Sequence, residues 1–144
     1  MSPSSAVEPP FGAARPQGSY AFEVAVVPEP HRVAQLRLIT KTFLRYRAVP
    51  APLAQDVVVV VSELVTNSVE HGHGTVSLRV RHTGEELFVE TTDDNPAPAR
   101  LRPPTPDDER GRGLFLVSCL SQSWGVSDDG RTTWASFHAS SGRT

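Results

Sequence analysis

Lysine is almost missing. Of the fourteen basic side chains, thirteen are arginine and only Lys41 is lysine. A phosphate-binding loop of the G-x-x-x-x-G-K-[ST] type needs a lysine directly after its glycines, and Lys41 follows Leu38, Ile39 and Thr40. That excludes Walker-type nucleotide chemistry, and equally a eukaryotic-type kinase arranged around a strand lysine. Cysteine is as scarce. Cys119 stands alone, so there is neither an internal disulfide nor a cysteine-based zinc site. On its apolar segment it is expected in the core. Long hydrophobic runs are also lacking: Val57 to Val61 is the longest aliphatic run, far short of the roughly 20 residues that span a bilayer. No basic-then-apolar signal peptide opens the sequence, so a soluble, cytoplasmic protein is expected. Excess charge is absent too. A formal net charge of −2 gives no general pull toward nucleic acid or anionic membrane.

What is present suits one domain. The length is 144 residues with 38% hydrophobic side chains, and a chain of this size buries about two-thirds of its unfolded surface. Proline marks the borders. Pro3, Pro9, Pro10 and Pro16 lie in a leader read as a disordered tail over 1–19. Pro96, Pro98, Pro103, Pro104 and Pro106 fill 95–110, which is expected to be neither helix nor central strand. A loop this long inside a domain indicates a lid or binding loop. The ordered domain is expected over 20–139, with a short tail over 140–144.

Between the borders, alternation of Tyr20, Phe22, Val24 and Val26 reads as a half-buried strand. From His31 to about Arg47, Val33, Leu36, Ile39, Phe43 and Leu44 recur at helical spacing. Pro52 to His71 is ambiguous, because five consecutive valines favour strand. Yet Val57, Val58, Val61, Leu64, Val65 and Val69 step by three and four, so helix is expected. A hairpin turns at Thr83-Gly84-Glu85; a short buried helix runs from Gly113 to about Ser121; strands near Trp124–Val126 and Thr132–His138 close the domain. The order β-α-α-β-β-loop-α-β-β predicts an α+β fold: a two-layer sandwich with helices on one face of a mixed, mostly antiparallel sheet.

On the second helix, Glu63, Asn67 and His71 fall at i, i+4 and i+8 and form one polar file. A proton-accepting carboxylate one turn from an amide oxygen suits chemistry on a Mg²⁺-bound nucleotide, since Mg²⁺ takes oxygen ligands and bridges phosphates. Alone, E-x-x-x-N describes an ordinary solvated helix face just as well. Two further features follow along the chain. Thr92-Asp93-Asp94-Asn95-Pro96 ends a strand, and Gly111-Arg112-Gly113 opens a helix, where backbone N–H groups and the helix dipole favour phosphate.

Taken in order, Glu63-Leu64-Val65-Thr66-Asn67-Ser68-Val69-Glu70-His71-Gly72, Asp93-Asp94-Asn95-Pro96, Gly111-Arg112-Gly113-Leu114 and Gly130-Arg131-Thr132 resemble the Bergerat-fold superfamily. This is the GHKL fold of gyrase, histidine kinases and heat-shock chaperones. Within it the chain is most similar to the anti-sigma factor serine/threonine kinases, the small stand-alone actinobacterial type. The resemblance covers roughly Ala21 to Phe137. It implies ATP and Mg²⁺ as cofactors, with Glu63 as catalytic base and Asn67 as Mg²⁺ ligand. It implies Asp93 as acceptor from the adenine amino group within the turn that includes Asn95. Gly111, Arg112, Gly113 and Leu114 would close a lid over the phosphates. Thr132 would support Asp93, and His71 would sit at the pocket mouth. Many members carry Asp-x-Gly-x-Gly at the adenine aspartate; here Asp94, Asn95, Pro96 and Ala97 follow, a turn similar to those of the actinobacterial branch.

The implied function is phosphorylation of a serine on an anti-anti-sigma (STAS-type) protein together with sequestration of a sigma factor, by a homodimer that touches neither nucleic acid nor membrane. The alternative is a non-catalytic module that acts by protein sequestration alone. Other assignments are weaker. His71 and His73 with His31 or Glu63 lack a third zinc ligand at a diagnostic spacing. Trp124 and Trp134 read as packed sheet residues. The arginines at 100, 102, 110 and 112 are interrupted by Asp107, Asp108 and Glu109, and suit a lid near phosphates better than a nucleic-acid surface.

Overall fold

A computed structural model describes residues 18–71, 74–94 and 109–139, with backbone alone for 109–112. Residues 1–17 and 140–144 of the expected tails, most of the expected lid (95–108), Asn95, Gly72 and His73 lie outside the described residues. The elements run β1 (Tyr20–Val26), α1 (His31–Tyr46), α2 (Ala51–His71), β2 (Val76–His82), β3 (Glu86–Thr92), α3 (Glu109–Leu120), β4 (Ser123–Val126) and β5 (Thr132–His138). No described helix is long and apolar enough to cross a membrane.

One sheet carries all the described strands, in the order β1-β2-β3-β5-β4. Every pairing is antiparallel, which narrows the expectation of a mixed sheet. Alternation sorts its two faces. Leu78 and Val80 of β2, Leu87 and Val89 of β3, and Ala135 and Phe137 of β5 join the core cluster with the helices, and Val76 of β2 is buried as well. On the far face Trp134 stacks on Phe88, with centroids 5.7 Å apart and 11° between the planes.

The valine run is helical, and the packing explains how. Helix α2 lies against α1, α3 and strands β2, β3 and β5, so it is covered on several sides. Val57, Val58, Val60 and Val61 are all buried, and only Val59 faces outward. Burying a valine contributes about 1.5–3 kcal/mol, against a helix-propensity cost of at most about 0.7 kcal/mol. Burial wins at each position except Val59.

Helix α3 departs from expectation twice. It starts at Glu109, so Gly111, Arg112 and Gly113 lie inside its first turns rather than before them. It is also less buried than its sequence suggests: Val117 is in the core, but Phe115, Leu116 and Cys119 are exposed. The core location expected for Cys119 is therefore corrected.

Past the end of α1, Arg47 donates from Nε to Nδ1 of His82 at 2.8 Å and from its guanidinium to the Gly18 carbonyl at 3.1 Å. The same guanidinium covers the Tyr20 ring at 3.8 Å. Burial first, and the Arg47 charge second, lower the His82 pKa to about 4. The imidazole stays neutral and accepts.

Candidate functional site

The site is built around the C-terminal half of α2. Helix α2 points Leu64, Val65 and Ser68 into the interior. Glu63 and Asn67, half-buried, stand beside that stripe one turn apart, with Cβ atoms about 5–6 Å from each other. His71 is exposed at the end of the helix, its Nε2 3.6 Å from the Glu70 carboxylate.

Helix α3 closes against this file at Gly113. A Cβ at that position would lie 2.6 Å from Glu63 Oε1, so the missing side chain is what lets the α3 backbone pass beside the carboxylate. Gly113 and Glu63, fifty positions apart in sequence, thus share one contact. The first four N–H groups of a helix lack intrahelical acceptors; here they belong to Glu109, Arg110, Gly111 and Arg112. The donors expected of the glycine segment therefore lie within the helix rather than ahead of it. Leu114, half-buried, packs on the core cluster.

The third part lies where β3 leaves the sheet. Asp93 follows the last β3 residue, and its N–H donates to the Arg131 carbonyl at 3.0 Å, extending the ladder one residue beyond the strand. Asp94 lies against Gly74. Gly74 has φ 71°, and a Cβ there would collide with the Asp94 carboxylate. Both the backbone conformation and the space call for glycine.

Thr132, the residue expected to support Asp93, pairs with Thr92 at the end of the ladder. Its hydroxyl bonds that of Thr92 at 2.8 Å, and Thr92 and Thr132 are register partners. They alternate with the buried Thr91, Ala135 and Phe137, so they sit on the sheet face away from the helices. Thr133, opposite Thr91, is on the helix side with Glu63 and Asn67. The motif resemblance names Thr132 for the site, whereas the register puts its neighbour Thr133 on the helix side of the sheet. The alternation of Ala135 and Phe137 with polar neighbours was the available signal, since a one-residue shift exchanges faces. The segment before Thr132 has its own structural part: Gly130 turns the chain at φ 75°, beside Asp129, which accepts from Ser127 and the Arg131 N–H. Those two hydrogen bonds hold the exposed Asp129 carboxyl below its ordinary range.

Among the described residues no cluster of three or more His, Cys, Asp or Glu side chains could hold a metal by itself. Glu63 and Asn67 offer only oxygen and amide groups to the site. A hard cation that keeps waters and bridges a ligand's phosphates fits such a sparse donor set, and Gly113 keeps the flank of the carboxylate clear.

Sequence comparison assigns this two-layer sandwich, with its polar file under a third helix, to a class of ATPase domain. The profile of the histidine kinase-like ATPase domain matches residues 26–137, and the chain belongs to that family. Twelve solved chains match the fold. Among them is a structure of the RsbU and RsbW domains of Rv1364c from Mycobacterium tuberculosis, similar at a TM-score of 0.57 and 16% identity. That similarity covers 83% of this chain but only 32% of the Mycobacterium tuberculosis chain. Comparison with curated proteins returns no significant match.

Proposed function

We propose that the protein is an ATP-dependent regulator that phosphorylates a serine on an anti-anti-sigma protein and, in its other state, sequesters a sigma factor. The contact between Glu63 and the side-chain-free flank of Gly113, with Asn67 one turn away, carries the reading. A helix face that served packing alone would not require an acid here, nor a glycine inside α3 that costs about 1 kcal/mol relative to alanine. The partner class comes from the motif resemblance to the anti-sigma factor kinases.

In this reading Asp93 accepts from the adenine amino group, and Thr133, on the helix side, replaces Thr132 as its supporting neighbour. Mg²⁺, held by Asn67, would neutralise charge on the phosphates. Glu63 takes the proton of the attacking serine hydroxyl while the serine oxygen bonds to the γ-phosphorus. The bond from that phosphorus to the β-phosphate bridging oxygen breaks, and ADP leaves. The open N–H groups at the start of α3 face the anion. His71, at the end of α2, lines the entrance. The working form is a homodimer in the cytoplasm.

Incubation with γ-labelled Mg-ATP and candidate anti-anti-sigma proteins tests this directly. Wild type should label a serine, and Glu63→Ala should reduce the rate by about 10²-fold or more with nucleotide still bound. Equal rates in wild type and Glu63→Ala would remove the catalytic assignment and leave sequestration alone. Unchanged ATP affinity in Asp93→Asn would remove the adenine assignment.

A further inference from the structure

We infer that the groove between the C-terminal half of α1 and the N-terminal half of α2 docks an acidic amphipathic helix of a partner protein. This goes beyond the nucleotide reading and does not depend on it. Ala54 precedes Glu63 by nine residues, a rise of roughly 14 Å along α2, so the groove lies toward the other end of that helix.

Charge is the first observation. Helix α1 carries Arg32, Arg37, Lys41 and Arg45 and no carboxylate, although the whole chain is at −2. Arg32 is 3.6 Å from Glu29. Arg37, Lys41 and Arg45 are exposed at i, i+4 and i+8, and none makes an ion pair among the described residues. Like charges at i and i+4 destabilise a helix by about 0.2–0.5 kcal/mol per pair. The helix dipole favours Arg45 in the last turn, but among the described residues no carboxylate pairs with Arg37, Lys41 or Arg45.

Shape is the second. Beside this file lies an open groove of about 600 Å³, with Lys41 and Arg45 on its rim and Val49, Ala54, Val58 and Val59 among the residues of its floor. Val59 is the one valine of its run left 38% exposed, and Leu38, on the same side of α1 as Lys41 and Arg45, is 63% exposed. The nearest carboxylate on α2, Asp56, is not part of the lining. Two packed consecutive helices offer a long channel that a third helix fills by ridges-into-grooves packing. An apolar floor under a cationic rim selects an occupant with aliphatic anchors at helical spacing and Glu or Asp on its flanks. A phosphate backbone would use the rim and leave the floor wet.

The test is a titration of the isotope-labelled full chain followed by amide NMR shifts. The probes are a short synthetic helix with leucine on one face and glutamate on its flanks, its lysine-for-glutamate counterpart, a short DNA duplex, and phosphatidylglycerol/phosphatidylcholine vesicles. The acidic helix should shift the amides of Leu38, Lys41, Arg45, Ala54 and Val59. Its affinity should fall at least about tenfold in K41E/R45E, and in Val59→Asp as an independent change to the floor. The lysine helix should not bind. ATP affinity should be unchanged in K41E/R45E, which separates this inference from the nucleotide reading. No shift at the groove, equal binding of the lysine helix, or a groove response to duplex or vesicles but not to the acidic helix would overturn it. So would concentration-dependent self-association through the groove.

Discussion

At position 113 two demands on one residue oppose each other. Glycine within a helix is unfavourable by about 1 kcal/mol relative to alanine, yet a Cβ there would sit 2.6 Å from Glu63 Oε1. The atom that would have to give way is the free end of a flexible side chain, so Gly113→Ala should fold well. Stability in urea should stay level or rise by up to about 1 kcal/mol. Phosphoryl transfer should nevertheless fall by about 10²-fold, because the displaced carboxylate is the proposed base. A loss of stability in parallel with activity would show the site to be ordinary packing. Gly74 differs, since its φ of 71° would strain any side chain. Candidate residue types were visible early: Glu63 and Asn67 share a helical file by spacing, and the motif resemblance singles out Asp93. Contacts were not. That Gly113 meets Glu63, and that Thr133 rather than Thr132 shares its side of the sheet, depends on how α3 and β5 are placed against α2.

Elements behave as units of burial rather than of propensity. Helix α2 is the clearest case, because a valine-rich segment is helical where three helices and a sheet meet. Leu64→Ala should therefore cost about 2–5 kcal/mol in denaturant unfolding. Val59→Ala, on the outward side, should be neutral or stabilising by up to about 0.7 kcal/mol. Comparable losses at both positions would contradict the assigned face. Helix α3 shows where periodicity fails. Its run Gly-Leu-Phe-Leu-Val-Ser-Cys-Leu has apolar residues on every side, so the sequence could not say which of them would be covered. The fold buries Val117 and leaves Phe115 at 51% exposure.

Across the whole molecule, the Arg47–His82 hydrogen bond ties the end of α1 to the sheet and makes stability depend on pH. An unfolded imidazole titrates near 6.5, whereas the folded one is lowered to about 4. Between these values the unfolded chain binds the extra proton, so stability is full above about 6.5 and declines as pH falls toward 4. With solvent at the strand end taken into account, the loss is on the order of 1–2 kcal/mol. Urea unfolding at a series of pH values should show this slope, and His82→Gln, which cannot titrate, should flatten it. The same slope in both proteins would assign the pH dependence elsewhere.

The order of elements and the polar file on α2 followed from the sequence because both are local: helical spacing, strand alternation and proline placement act over a few residues. The all-antiparallel sheet, the early start of α3, the face of each threonine and the exposed Cys119 were decided only when the chain closed on itself. Each of these depends on which surfaces meet, and that is a property of packed layers rather than of any one segment. The scarcity of lysine takes on its meaning at that level. It excluded a P-loop at the outset, and the fold leaves Lys41 on the rim of an open groove far along α2 from Glu63.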